Sequence, residues 1–194
     1  MRTPLSSVWP MHAPPTRMTA AEYFEVSFEG DRMQLVDGVM VLNEPTPEHQ
    51  LVCTRLLIAL SNWANEAPER GLALMPIDVQ MTELDVYGPD LVWFAPGRAK
   101  SVPELAGQIP DLVAEVRSPS TWRYDVGRKR SVYETGGVPE LWLVDTKAEA
   151  VLVYRRSAPG VGRFDVALEL TDTLNSPLLP GFSLDVKELF RLAL

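Results

Sequence analysis

Residues 111–145 read DLVAEVRSPSTWRYDVGRKRSVYETGGVPELWLVD, and this stretch decides the fold class. DLVAEVR alternates as a strand, with Asp111, Val113, Glu115 and Arg117 on one face and Leu112, Ala114 and Val116 on the other. A helix follows from Tyr124 to Thr135, closed by Gly136-Gly137, and ELWLVD then returns as a strand. Upstream, DLVWFA (90–95) is almost wholly apolar, the pattern of a central strand buried on both faces. LMPIDVQMT (74–82) reads as another strand.

Before these lies TPEHQLVCTRLLIALSNWANEAPER (46–70). Here Val52, Leu56, Leu60, Trp63 and Ala64 recur at helical spacing, and Gly71 is expected to end the helix. Further upstream, Thr19 can cap a short helix through Phe24 with Glu22 at its third position. Asp37-Gly38 between apolar pairs marks a hairpin, because a type I′ turn needs positive φ at both central residues. AVLVYRR (150–156), FDVALEL (164–170) and a terminal helix over Asp185–Leu192 finish the chain. The core order is helix, strand, strand, strand, helix, strand: a mixed α+β domain around one sheet, with an N-terminal hairpin and C-terminal strands. Residues 1–16, with four prolines, read as a flexible arm, and residues 17–194 as a single domain.

Composition narrows the function. With 46% hydrophobic and 23% charged residues the chain is ordinary globular protein. Eighteen Lys and Arg against 26 Asp and Glu give a net charge of -8, which excludes a basic coat of the histone or cationic-membrane type. Cys53 is the single cysteine, so an intrachain disulfide and a Cys-based zinc site are excluded, and it reads as a small buried hydrophobe. A catalytic thiol would need His12 or His49 in reach. No apolar run is long enough for a membrane helix and the N-terminus has no signal-peptide core, so the expected setting is cytoplasmic.

Three features carry chemistry. Glu115 inside an apolar strand is costly unless it is paired or bound to a cation, so it is either a metal ligand or the partner of Arg117. Asp90 opens the neighbouring apolar strand, and strands ~4.8 Å apart can bring two carboxylates to one divalent ion. Such hard oxygen ligands suit Mg²⁺ or Mn²⁺. Between Arg117 and Arg130, five basic residues (Arg117, Arg123, Arg128, Lys129, Arg130) face one acid, Asp125. Asp125, Lys129 and Tyr133 share a helix face, as an exposed ion pair or with Lys129 aimed at the carboxylates. Trp63, Trp93 and Trp142 lie on apolar stripes and read as core, whereas Trp122 in a polar loop can stack on a base or pack the loop.

GPDLVWF, DLVAEVRSPST and DVGRKRSVYETGGVPELWLVD together resemble the PD-(D/E)xK nuclease superfamily, and more closely its Uma-type endonuclease family, from about Met18 to PLLPGFSLDVKELF. The resemblance implies a restriction-endonuclease-like core and metal-dependent phosphodiester hydrolysis. Asp90 matches the superfamily's Asp and Glu115 its second acid, with the Val116 carbonyl as a further metal oxygen. The superfamily lysine would stand at Arg117; in the Uma-type family it lies on the following helix, where Lys129 matches. Arg117 cannot exchange a proton as a lysine does, though it can bind phosphate. Gln34 stands where the family usually has Glu, keeping an oxygen and losing the charge. His49 also matches the family pattern at the start of the long helix.

The leading expectation is therefore a Mg²⁺- or Mn²⁺-dependent DNA endonuclease. Asp90 and Glu115 would hold the metal, Lys129 would work at the phosphate, and Gln34 and His49 would assist. Arg117, Arg123, Arg128 and Arg130, with Trp122, would hold DNA, and a homodimer would serve two strands. The alternatives are a catalytically weak or inactive nuclease-fold module that binds nucleic acid or a protein partner, favoured by Gln34 and Arg117, and a structural homo-oligomer joined through the C-terminal strands.

Overall fold

The computed structural model describes residues 17–27 and 32–191. The chain runs α1 (Ala20–Val26), β1 (Met33–Val36), β2 (Val39–Leu42), α2 (Pro47–Asn65), β3 (Leu72–Leu74), β4 (Val79–Thr82), β5 (Asp85–Tyr87), β6 (Leu91–Phe94) and β7 (Leu112–Val116). A helical segment over residues 122–135 follows: α3 (Trp122–Tyr124), a π-helical turn (Asp125–Lys129) and α4 (Arg130–Thr135). Then come β8 (Glu140–Asp145), β9 (Ala150–Arg155), β10 (Val166–Leu170), β11 (Thr173–Leu174), β12 (Leu184–Asp185) and α5 (Val186–Phe190). The arm expected over residues 1–16 lies outside the described residues, as do His12 and Leu192.

The mixed α+β class is borne out, but one sheet becomes more than one. The main sheet has six strands in the order β10-β9-β8-β7-β6-β3, and only the β7–β8 pair is parallel. This follows from connection length: β7 and β8 are joined by the helical crossover, whereas β8 and β9 are joined by a tight turn. The hairpin grows into a second sheet, β2-β1-β5-β4, because LMPIDVQMT is not one strand. Pro76 interrupts it; the first part pairs with β6 and the second folds back on β5. At the hairpin turn, Asp37 and Gly38 take φ of +54° and +74°, as a type I′ turn requires.

Alternation along β6 and β7 buries both faces of the main sheet. Leu91, Trp93, Leu112, Ala114 and Val116 meet α2 and α5, joined there by Trp63 and Trp142. Val92, Phe94 and Val113 lie on the other face with Leu141, Val132 and Tyr133. The capping box on α1 forms as its sequence predicts, with Thr19 and Glu22 bonded to each other's backbone N–H. Gly71 does not end α2: that helix stops at Asn65, and Gly71 closes a separate 3₁₀ turn over Pro68–Arg70 at φ +73°.

Candidate active site

Two carboxylates meet at one end of β6 and β7. The antiparallel register pairs Leu91 with Ala114 and Val92 with Val113. Continued by one step, it sets Asp90 opposite Glu115; Glu115 meets α4 through Tyr133, and Asp90 meets the first turn of α2 through His49. Both carboxylates are buried. Asp90 Oδ2 accepts from the Val116 backbone N–H at 2.7 Å and lies 3.0 Å from His49 Nε2. Thr46 caps α2 by accepting the His49 backbone N–H, which places the imidazole in the first turn, facing Asp90. Val116 thus enters the site through its N–H.

Glu115 Oε1 accepts from the Tyr133 hydroxyl at 2.6 Å and is 2.6 Å from Lys129 Nζ. The same ammonium donates to Asp125 Oδ1 at 3.0 Å, and Thr121 donates to Asp125 Oδ2. Lys129 is therefore a buried ammonium held by two buried carboxylates, not an exposed pair on a helix face. The wider π-helical turn is the backbone that carries Asp125 and Lys129 inward together.

Burial sets the protonation of this cluster. Burial pushes Glu115 up to about 8; Lys129 opposes the rise, while Asp125 and Asp90 add to it. Burial raises Asp125 too, again against Lys129. Lys129 itself rises despite burial, because Asp125 and Glu115 both favour its charged form. The two directions agree physically. One ammonium shared by two carboxylates stays charged, and the second carboxylate is left under-compensated. Tyr133 is raised by its burial and by Glu115, so it remains a hydroxyl donor.

Cys53 lies 3.6 Å from His49 Nδ1, one helical turn along α2, and His49, Cys53 and Asp90 present ligand atoms within 4.8 Å of one another. Burial, with Asp90 and Glu115, drives the thiol far up its scale, so Cys53 is a neutral thiol in the core as its neighbours suggest. Gln34 is buried on β1, and its Oε1 has no hydrogen-bond partner among the described residues. It lines a cavity of about 750 Å³ that Asp90 and His49 also border.

The five basic residues do not converge. Arg117 donates to both oxygens of Asp145 at 2.9 Å and lies over the Trp122 ring, which settles the strand alternative: Glu115 pairs with Lys129, not Arg117. Arg128 makes a two-pronged contact to buried Asp85, at 2.9 and 2.7 Å, and also pairs with Asp37. Burial opposes its ionisation, yet Arg128, Thr82, the Asp37 N–H and Tyr87 hold Asp85 down at about 2. Arg123 lies over Tyr124 and Arg130 over Tyr154. Trp122 packs against the second core, so its loop-packing alternative is the one observed. Sequence reasoning missed Arg32 and Asn43, which line the cavity with Gln34, and it did not link Tyr133 to Glu115. The i, i+4 spacing from Lys129 was the available signal for Tyr133.

A mixed sheet with an acid–acid–lysine cluster at one strand end defines a nuclease of the restriction-endonuclease type. The family model described as "Putative restriction endonuclease", Uma2, matches residues 20–187, and the chain belongs to that family. A solved structure described as a putative nuclease belonging to DUF820, from Anabaena variabilis, superposes with a TM-score of 0.73. It is 16% identical, over 89% of this chain and 97% of that one, a likeness of fold. No curated protein matches the chain.

Proposed function

We propose that the protein is a Mg²⁺- or Mn²⁺-dependent endonuclease that hydrolyses phosphodiester bonds of DNA, through one nuclease domain over residues 17–194. The juxtaposition of Asp90 and Glu115 across β6 and β7, with Lys129 Nζ 2.6 Å from Glu115, carries this reading. The donor set fits a hard divalent cation. Two buried carboxylates stand at adjoining ends of neighbouring strands, and their hydrogen bonds use Oδ2 of one and Oε1 of the other, leaving Oδ1 and Oε2 outside those contacts. A site that raises Glu115 to about 8 also favours added positive charge.

Asp90 and Glu115 would hold the cation, with the Val116 carbonyl at the end of β7 beside them. Bound there, a divalent cation lowers the pKa of water and polarises phosphate. Lys129, kept charged by its two carboxylates, acts as a fixed cation for charge building on a phosphate oxygen and not as a base. His49 and the Val116 N–H orient Asp90, and Tyr133 orients Glu115. Gln34 adds a neutral oxygen at the cavity. Arg123 and Arg130, which carry no carboxylate partner among the described residues, are the cations left for the DNA backbone. A homodimer would place one such site on each strand. Among the described residues no helix is long and apolar enough to cross a membrane. The buried thiol of Cys53 suits a reducing, cytoplasmic setting.

Supercoiled plasmid with Mn²⁺ tests the reading. The wild type should nick it, and Asp90→Ala and Glu115→Ala should not. Nicking that survives both substitutions sinks the site assignment. Gln34, a neutral amide at the cavity, favours a second reading, a binding module on the same fold. That reading predicts salt-sensitive nucleic-acid binding with no cleavage of any DNA or RNA substrate at any metal concentration.

A further inference from the structure

The cavity beside Asp90 and His49 holds more chemistry than metal-assisted hydrolysis uses. Gln34 and Asn43 both line it, and Gln34 Oε1 and Asn43 Oδ1 are shielded from solvent without a donor among the described residues. Buried acceptors left unmade are costly and rare, so two at one cavity point to a ligand that brings donors. Their placement is built into the hairpin. Gln34 pairs with Val41 across β1 and β2, and the Asn43 N–H donates to the Arg32 carbonyl at 2.8 Å, so Arg32, Gln34 and Asn43 project from one face. Gly88 borders the same space, where a Cβ would stand 3.7 Å from Asp78 Oδ1 and 4.0 Å from Gln34 Cγ, at ordinary contact distances.

We propose that this cavity seats one unpaired nucleobase next to the cleaved phosphate, read through Gln34 and Asn43; this rests on the nuclease reading. A phosphate does not fit, because its oxygens are acceptors and Asp78 and Asp90 also border the space. A flat ring does fit: Phe24 and Ile77 supply apolar wall, and Arg32 stands exposed beside them. Two acceptors match a base whose Watson–Crick edge carries two adjacent donors. Guanine has them, in its N1–H and exocyclic amino group. Adenine and cytosine bring an amino group alone, and thymine a single imino N–H. The base must be unpaired, since a duplex hides these donors.

The test is equilibrium binding by fluorescence anisotropy, using the full chain in EDTA so that nothing is cleaved. The probes are labelled thymidine hexamers carrying one central variable base. Guanine should tighten binding about tenfold over the all-thymine hexamer, the scale of one well-made base contact. Gln34→Leu and Asn43→Leu should each erase that preference, bringing the guanine probe down to the affinity of the all-thymine probe in the same variant. Urea unfolding of both variants at the wild-type midpoint separates lost recognition from a disturbed fold. Equal affinity for all four bases overturns the proposal, as does a preference that survives both leucine variants. Loss of Mn²⁺ affinity in those variants, read by electron paramagnetic resonance with base preference intact, assigns the oxygens to a cation and also overturns it. Hexamers bound without base preference defeat this inference alone. If no hexamer binds and no plasmid is nicked, the nuclease reading fails with it.

Discussion

Glu115→Gln in metal-free protein should raise stability at pH 8 and leave it nearly unchanged at pH 5. In the folded chain Glu115 titrates near 8, and its ordinary value is 4.5. Between these pH values the folded state binds a proton that the unfolded state has released, so stability must fall as pH rises through the window. It is fully present below 4.5 and lost by the time pH has passed 8. At ~1.4 kcal/mol per pH unit, the window sets an upper figure of roughly 5 kcal/mol. Asp125 is also raised and shares Lys129, so part of the same loss falls on it. A neutral glutamine resembles the protonated acid and removes Glu115's share, about 2–4 kcal/mol at pH 8. Lys129 is not orphaned, because Asp125 remains 3.0 Å away. Urea unfolding in EDTA at pH 5, 6, 7 and 8 reads the effect directly. If wild-type stability is flat or rises with pH, or if the variant is the weaker protein at pH 8, Glu115 is a well-paired carboxylate and the reasoning fails.

Arg128→Ala should cost about 2 kcal/mol, since it strips the main counter-charge from buried Asp85 while Thr82, Tyr87 and the Asp37 N–H remain; the partial exposure of Arg128 keeps the figure below that of a fully buried pair. Because Asp85 is depressed to about 2, its contribution is present above 3.8 and lost as pH falls toward 2, so acid unfolding should begin at higher pH in the variant. Arg117→Ala should leave plasmid nicking largely intact and cost no more than ~1 kcal/mol by thermal melting, with a shift in Trp122 emission, because this guanidinium serves Asp145 and the indole. The logarithm of DNA affinity against that of salt should slope near −2 if Arg123 and Arg130 are the backbone contacts, whereas four working arginines would give a slope near −4. Leu143→Ala, fully buried beside Glu115 on the neighbouring strand β8, should cost about 2–5 kcal/mol in urea unfolding.

Local rules carried far along this chain because they rest on few residues. Thr19 with Glu22 and Asp37 with Gly38 each specify their conformation within four positions, and both form. The two carboxylates were legible for a related reason: a lone acid at the edge of an apolar strand has few affordable states. The second sheet was not, because β5 is three residues long and is held by pairing Leu35 with Val86 across the chain. The misread basic run has the same origin. Asp145 and Asp85 stand 28 and 43 positions from the arginines they neutralise, and charge patterning in one window cannot see them. Arg32 and Asn43 left no signal at all, being single polar residues flanking short strands.

Charge neutrality at the site gives Gln34 a role that a missing carboxylate would not suggest. Asp90, Glu115 and Asp125 carry at most three negative charges, and Lys129 supplies one positive. The remaining two match a single divalent cation, and no other basic side chain pairs with these carboxylates among the described residues apart from His49 at Asp90. A glutamate at position 34 would add a fourth negative charge at the same buried cavity. It would then need a second cation or a proton, since an uncompensated buried carboxylate is the costlier state. On the proposed reading, the amide trades that charge for a neutral acceptor. The substitution suits a site that works with one metal and leaves the space beside Asp90 to an uncharged ring.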